Sequence, residues 1–144
     1  MPELNDGDEL IKEAIGWAPI VPGLLVSNLD RSVDVYTRLF GLTLAHSEPP
    51  RLAVLEWGSG QIVLQQYVPD DPLVVAELTT PFGRGVTLDL RTPDPKPLYE
   101  RLRGEKWPIV VPMGIAEYTQ GGETYTRTSF VVADPDGYLL RFTD

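Results

Sequence analysis

The chain has 144 residues and a formal net charge of −9, from 12 Lys+Arg against 21 Asp+Glu; it is long enough for a domain with a sizeable core, and its acidity opposes nucleic acid backbones while favouring cationic small molecules or serving solubility alone. With 42% hydrophobic residues, no Cys and no apolar run approaching a membrane span, it reads as a soluble, cytoplasmic protein with no signal peptide, disulfide or thiolate metal site. The single His, His46, removes most general-base and metal-ligand schemes.

Residues 1–19 read as an N-terminal extension. Leu10, Ile11, Ala14 and Ile15 recur at helical spacing behind a cap at Asn5 or Asp6. Such a helix is too short to stand alone, and Gly16-Trp17-Ala18-Pro19 reads as a linker. Residues 20–27 form a strand with Leu24 and Val26 facing inward and Pro22 at an edge or a strand start. Asn28 to Ser32 supply capping residues, Val33, Tyr36, Leu39 and Phe40 an apolar helical stripe, and Gly41 its stop. Strands follow over residues 42–46, 52–57 and 61–67, with Gly58-Ser59-Gly60 as a hairpin turn and His46 exposed near a strand end. The Pro- and Asp-rich residues 69–84 are a connector.

The order then starts again. Residues 86–90 read as a strand, and Thr92-Pro93-Asp94 opens a helix with Leu98, Tyr99 and Leu102 as its stripe and Gly104 as its stop. Residues 109–113 are a strand, residues 115–122 a long excursion around Gly121-Gly122 (a flap or simply a loop), and residues 125–132 and 138–143 the closing strands. Between these last two lies Asp134-Pro135-Asp136-Gly137, which is turn chemistry: Pro presets φ, Asp caps its own backbone and Gly accepts a positive φ. The strand after it alternates Leu139 and Arg141 on one face with Tyr138, Leu140 and Phe142 on the other.

This is a βαβββ order read twice, giving an α+β fold of two modules, 20–68 and 85–144, within a domain spanning residues 20–144. The repeat shows in the residues: Tyr36-Thr37-Arg38-Leu39-Phe40-Gly41 matches Tyr99-Glu100-Arg101-Leu102-Arg103-Gly104, and Gly60-Gln61-Ile62-Val63-Leu64 matches Gly137-Tyr138-Leu139-Leu140-Arg141. Two such modules would wrap a curved mixed sheet around a cleft. By alternation the cleft side carries Gly23, Leu25, Thr87, Asp89, Leu139 and Arg141, and Asp89 and Arg141 would meet as an ion pair, structural or ligand-directed. Trp57 is either a stacking wall for a planar ligand or an aromatic cover of the core rim. One of Gln65 and Gln66 would offer a hydrogen bond to the cleft. Tyr118, Tyr125 and Arg127 flank the excursion, while Tyr36 and Tyr99 belong to the core and Trp107 to the core or its rim.

Three pieces carry a resemblance: Val26-Ser27-Asn28-Leu29-Asp30-Arg31-Ser32-Val33-Asp34-Val35-Tyr36, Leu88-Asp89-Leu90-Arg91-Thr92-Pro93-Asp94, and Asp134-Pro135-Asp136-Gly137-Tyr138-Leu139-Leu140-Arg141-Phe142. Over residues 20–144 the chain resembles the glyoxalase/bleomycin-resistance/extradiol-dioxygenase superfamily, also called vicinal oxygen chelate. The resemblance implies four metal-ligand positions for the enzymes of that family. They fall near Val21, at Leu64 or Gln65, at Gly85 or Val86, and on Arg141. With Gln65 the one surviving donor and a cation at another corner, metal chemistry is not expected.

The implied function is therefore that of the metal-free, bleomycin-resistance-like branch: an acidic homodimer without cofactor that sequesters a small molecule. Its ligand-binding candidates are Trp57, Gln65, Asp89, Tyr118, Tyr125 and Arg141, with no catalytic and no metal-ligating residue assigned. Two alternatives stand beside it. One is an enzyme of the superfamily, of lyase, isomerase or dioxygenase type or working without a metal, with Arg141 anchoring an anion and Asp89 or a Tyr as base. The other is an interaction module with a filled cleft.

Overall fold

The computed structural model describes residues 16–144. The helix expected around Leu10 to Ile15 lies outside the described residues. Two compact units divide at Asp71 and Pro72, and each is built as strand, helix, three strands.

In the first unit, β1 (Gly23–Val26), β2 (Thr43–Glu48), β3 (Leu52–Trp57) and β4 (Gly60–Gln66) form a sheet of order β1-β4-β3-β2. β1 runs parallel to β4 and the other pairs are antiparallel. The parallel pair requires a crossover, supplied by α1 (Leu29–Asp34) and its continuation as a π-helical turn over Val35–Leu39. Asn28 caps α1: its side-chain oxygen accepts from the Arg31 N–H at 3.1 Å. The wide turn closes through the Phe40 N–H donating to the Val35 carbonyl at 3.0 Å, and Gly41 ends it at φ 89°. Leu29, Ser32, Val35, Tyr36, Leu39 and Phe40 are buried along the inner side. Val35 thus takes the inward place that the sequence pattern gave to Val33, because the buried row follows Ser32, Val35 and Leu39.

The second unit repeats the plan. β5 (Thr87–Arg91), β6 (Ile109–Gln120), β7 (Glu123–Ala133) and β8 (Leu139–Thr143) have the order β5-β8-β7-β6, with β5 parallel to β8. α2 (Lys96–Gly104) provides the crossover, with the Lys96 N–H donating to Asp94 Oδ1 at 3.1 Å at its start. Leu102 is fully buried, and the Tyr99 ring leans on Phe130 at 5.0 Å between centroids. Phe130 stacks on Phe142, and Leu90, Val132 and Leu140 complete the buried face. The Trp107 indole N–H donates to the Ala133 carbonyl at 3.0 Å, tying the start of β6 to the end of β7.

Three expectations change. The excursion over residues 115–122 is no loop: β6 and β7 form a long hairpin that pairs as far as Gln120 with Glu123 and turns on Gly121-Gly122, both at positive φ. Cross-strand pairs such as Tyr118 with Tyr125 and Thr119 with Thr124 support that pairing. His46 is half-buried rather than exposed. A register shift between Leu44 and His46 pairs His46 with Val54, and its Nε2 is buried without a hydrogen-bond partner, 3.9 Å from Glu48 Oε2. The repeat also aligns one residue differently. Leu24 pairs with Leu64 as Leu88 pairs with Leu140, so Gln65, not Leu64, stands where Arg141 stands in the second unit.

The Asp134 turn sets the register of β8. Asp134 Oδ1 accepts from the Asp136 and Tyr138 N–H groups at 2.9 and 2.8 Å, and its own N–H donates to the Tyr138 carbonyl at 2.8 Å. Gly137 has φ 91°, and a Cβ there would lie 2.7 Å from the Pro81 Cα. Gly137→Ala should therefore lower stability by roughly 2 kcal/mol or more in a urea titration. Gly23→Ala, with no positive φ and open space around the new carbon, is the control expected to change little; equal stability of the two variants would contradict the turn's role.

Candidate functional site on the second sheet

The two faces of the β5-β8-β7-β6 sheet differ. One is sealed by α2 and the aromatic cluster, and the other is open. Register places Asp89, Arg141, Val131 and Val111 side by side across the four strands on the open face. Two residues further along β7 stands Ser129, then Arg127 beside Ala116, then Tyr125 beside Tyr118. A cavity of about 550 Å³ lies over this face, lined by Val111, Ala116, Tyr118, Arg127, Ser129, Val131 and Arg141. That volume is within the range of small-molecule sites.

Of the six sequence-predicted site residues, four share this face. Arg141 Nη1 donates to Asp89 Oδ1 at 3.1 Å, and the two side chains keep 42% and 39% of their surface exposed. Tyr118 and Tyr125 stack at 5.5 Å, and the Arg127 guanidinium lies 5.0 Å over the Tyr118 ring. Arg127, expected only as a flank of the excursion, lines the cavity itself. Sequence reasoning missed Val111, Ala116, Ser129 and Val131. The available signal was the alternation of Arg127, Ser129 and Val131 along one strand, which a loop at residues 115–122 concealed.

The other two candidates belong to the first unit. Gln65 shares a sheet face with Leu25 and Leu52, and its amide N–H donates to Asp71 Oδ2 at 2.8 Å. Gln66 is committed elsewhere: its oxygen accepts from the Leu29 N–H at 2.9 Å and its nitrogen donates to the Ser27 carbonyl at 2.9 Å, joining β4 to the start of α1. Trp57 closes β3 on the side of Ala53 and Leu55, the face opposite Gln65. A second cavity, of about 440 Å³, lies beside Trp17, Pro19, Glu56 and Gln61. There Gln61 accepts from the Ala18 N–H at 2.7 Å and donates to the Gly16 carbonyl at 3.0 Å, so it anchors the entering chain.

The four positions that hold a metal in enzymes of the resembled family do not fit one here. Gln65 is the one donor among Val21, Gln65, Gly85 and Arg141, and the guanidinium of Arg141 opposes a cation. Among the described residues, no group of three or more His, Cys, Asp or Glu side chains could hold a metal ion. Nor is any of their helices long and apolar enough to cross a membrane. The Asp89–Arg141 pair is exposed enough that its contribution to stability is small. Asp89→Ala should change unfolding free energy by less than about 1 kcal/mol, read by urea denaturation; a loss several times larger would make the pair a structural one.

A family model described as the Glyoxalase/Bleomycin resistance protein/Dioxygenase superfamily matches residues 18–142. No curated protein sequence matches the chain. Among solved structures, TioX from Micromonospora sp. ML1 is similar at 22% identity and TM-score 0.62, over 88% of this chain and 94% of that one. A lactoylglutathione lyase from Agrobacterium tumefaciens is similar at 16% identity and TM-score 0.60, over 88% and 92%. A structure from the mobile metagenome of V. Pseudocholerae reaches TM-score 0.65 at 20% identity, over 88% and 93%. These likenesses establish a shared fold. With its two βαβββ units and a family match over nearly its whole length, the chain belongs to the glyoxalase/bleomycin resistance protein/dioxygenase superfamily.

Proposed function

We propose that the chain is a metal-independent small-molecule-binding protein of the bleomycin-resistance kind, which holds its ligand without turnover on the open face of the second sheet. The supporting observation is the exchange of chemistry at one position. Where the family's metalloenzymes carry the last-strand ligand, this chain carries Arg141, paired with Asp89 at the edge of a 550 Å³ cavity. A guanidinium fixed by a carboxylate can orient a ligand by hydrogen bonds, and it cannot take part in a metal's coordination sphere. Asp89, Tyr118, Tyr125 and Arg141 act at this face, Trp57 and Gln65 are separate candidates on opposite faces of the first unit's sheet, and two copies form a cytoplasmic homodimer.

The enzyme reading needs a base beside the cavity. Asp89 is the counter-ion of Arg141, so using it as a base would leave the guanidinium unpaired, and Tyr118, the other candidate base, is the ring on which the Arg127 guanidinium sits. Binding is the simpler use of this set.

The test is a thermal-shift and recovery experiment on EDTA-treated protein with small molecules of each charge class, bleomycin being the cationic member. A rise in Tm without added metal, together with recovery of the ligand unaltered, is the expected result. A rise that appears only after a divalent metal is restored, or a ligand recovered chemically changed, would overturn metal-independent sequestration. The size of the expected rise follows mass action, about 2.7 kcal/mol of added stability at a hundredfold excess over Kd.

A further inference from the structure

We infer that the ligand of this face is an anion with a planar apolar body, such as an aromatic carboxylate, and that Arg127 is the group that selects it. The inference rests on the small-molecule-binding reading above and adds the ligand's chemical class.

Charge at the cavity runs against the charge of the chain. The protein as a whole carries −9, yet the cavity is lined by two guanidinium groups, Arg127 and Arg141, and no carboxylate of the described residues lines it. Asp89 lies in register beside Arg141 and answers that guanidinium alone, through Nη1 at 3.1 Å. The Nε and Nη2 of Arg141 have no protein acceptor among the described residues. Arg127 forms no salt bridge among them either; its contact is the Tyr118 ring, 5.0 Å below the guanidinium carbon. A ring face holds a guanidinium by its π surface and leaves the N–H edge open. That edge is a fork of the geometry a carboxylate takes bidentately.

The rest of the cavity suits an apolar body. Val111, Ala116 and Val131 make its floor, and Tyr118, backed by Tyr125 at 5.5 Å, makes an aromatic wall. Ser129, between Val131 and Arg127 on β7, adds a hydroxyl to the lining. A cationic ligand would meet two positive groups and one already-paired carboxylate, in a site partly shielded from water where like charges repel more strongly. An anion would be attracted by the unanswered charge of Arg127.

Three probes of one shape separate the alternatives: 2-naphthoate, 2-naphthalenemethanol and 2-naphthylmethylammonium, each added to EDTA-treated, uniformly 15N-labelled protein and followed by amide chemical shifts. 2-Naphthoate should bind about tenfold more tightly than the neutral probe, with shifts at β6, β7 and β8. Arg127→Gln should remove that preference, bringing naphthoate down to the affinity of the alcohol while the rest of the spectrum stays in place. Arg127→Lys should keep part of it. Tighter binding of the ammonium probe, or an Arg127→Gln variant that binds naphthoate as well as the parent, would overturn the anion assignment and leave metal-independent binding standing. No naphthoate shifts up to about 10 mM would overturn it as well. Binding of every probe only with added divalent metal would instead overturn the reading it rests on.

Discussion

The register of the last strand depends on one carboxylate. Asp134 is buried, and its Oδ1 takes two backbone N–H groups of the turn that follows it. This fixes how many residues separate β7 from β8. Side chains alternate along a strand, so a slip of one residue would turn the Arg141 guanidinium into the aromatic core and expose Leu140 and Phe142. The turn is itself held from outside, since the Phe82 N–H donates to the Asp136 carbonyl at 2.8 Å and Pro81 packs against Gly137. From Pro72 onward the connector therefore acts as part of the second unit and not as a free linker.

With β8 fixed, the parallel pairing of β5 brings Asp89 opposite Arg141, and β7 brings Val131 alongside. The first unit has the same topology with different residues in the equivalent row: Leu25, Gln65 and Leu52. One unit thus carries an apolar row with one amide, and the other an ion pair running into an apolar floor. The duplicated architecture fixes the places, and the residues at those places decide the chemistry. Here the second unit places the Arg141 guanidinium beside Asp89, and the hairpin of β6 and β7 adds a second guanidinium seated on an aromatic ring.

Much of this was legible in the sequence because it is carried by local chemistry. The Asp-Pro-Asp-Gly turn, the Asn28 cap, the Gly41 stop and the alternation of Leu139 to Phe142 each fix a local geometry whatever surrounds them. The repeat of Tyr-x-Arg-Leu-x-Gly then gave the topology, and alternation put Asp89 and Arg141 on one side. What was missed depends on pairing partners. The Gly121-Gly122 pair reads as a flap or simply a loop, and cross-strand pairing as far as Gln120 makes it a hairpin turn instead. The bulge before His46 is set by the register of β2 on β3, which no local pattern announces. The choice between Leu64 and Gln65 needed the parallel partner, Leu24 or Leu25. Arg127 was visible as a residue, but its place in the cavity follows from the length of the hairpin.

We propose that this member of the superfamily binds small molecules without a metal. Native mass spectrometry of the purified protein, after incubation with equimolar Zn²⁺, Ni²⁺, Mn²⁺ and Fe²⁺ and buffer exchange, tests it most directly. A metal-independent site predicts the mass of the bare polypeptide, with ligand adducts unchanged by EDTA. A stoichiometric metal adduct that survives exchange, and whose removal abolishes ligand binding, would contradict it.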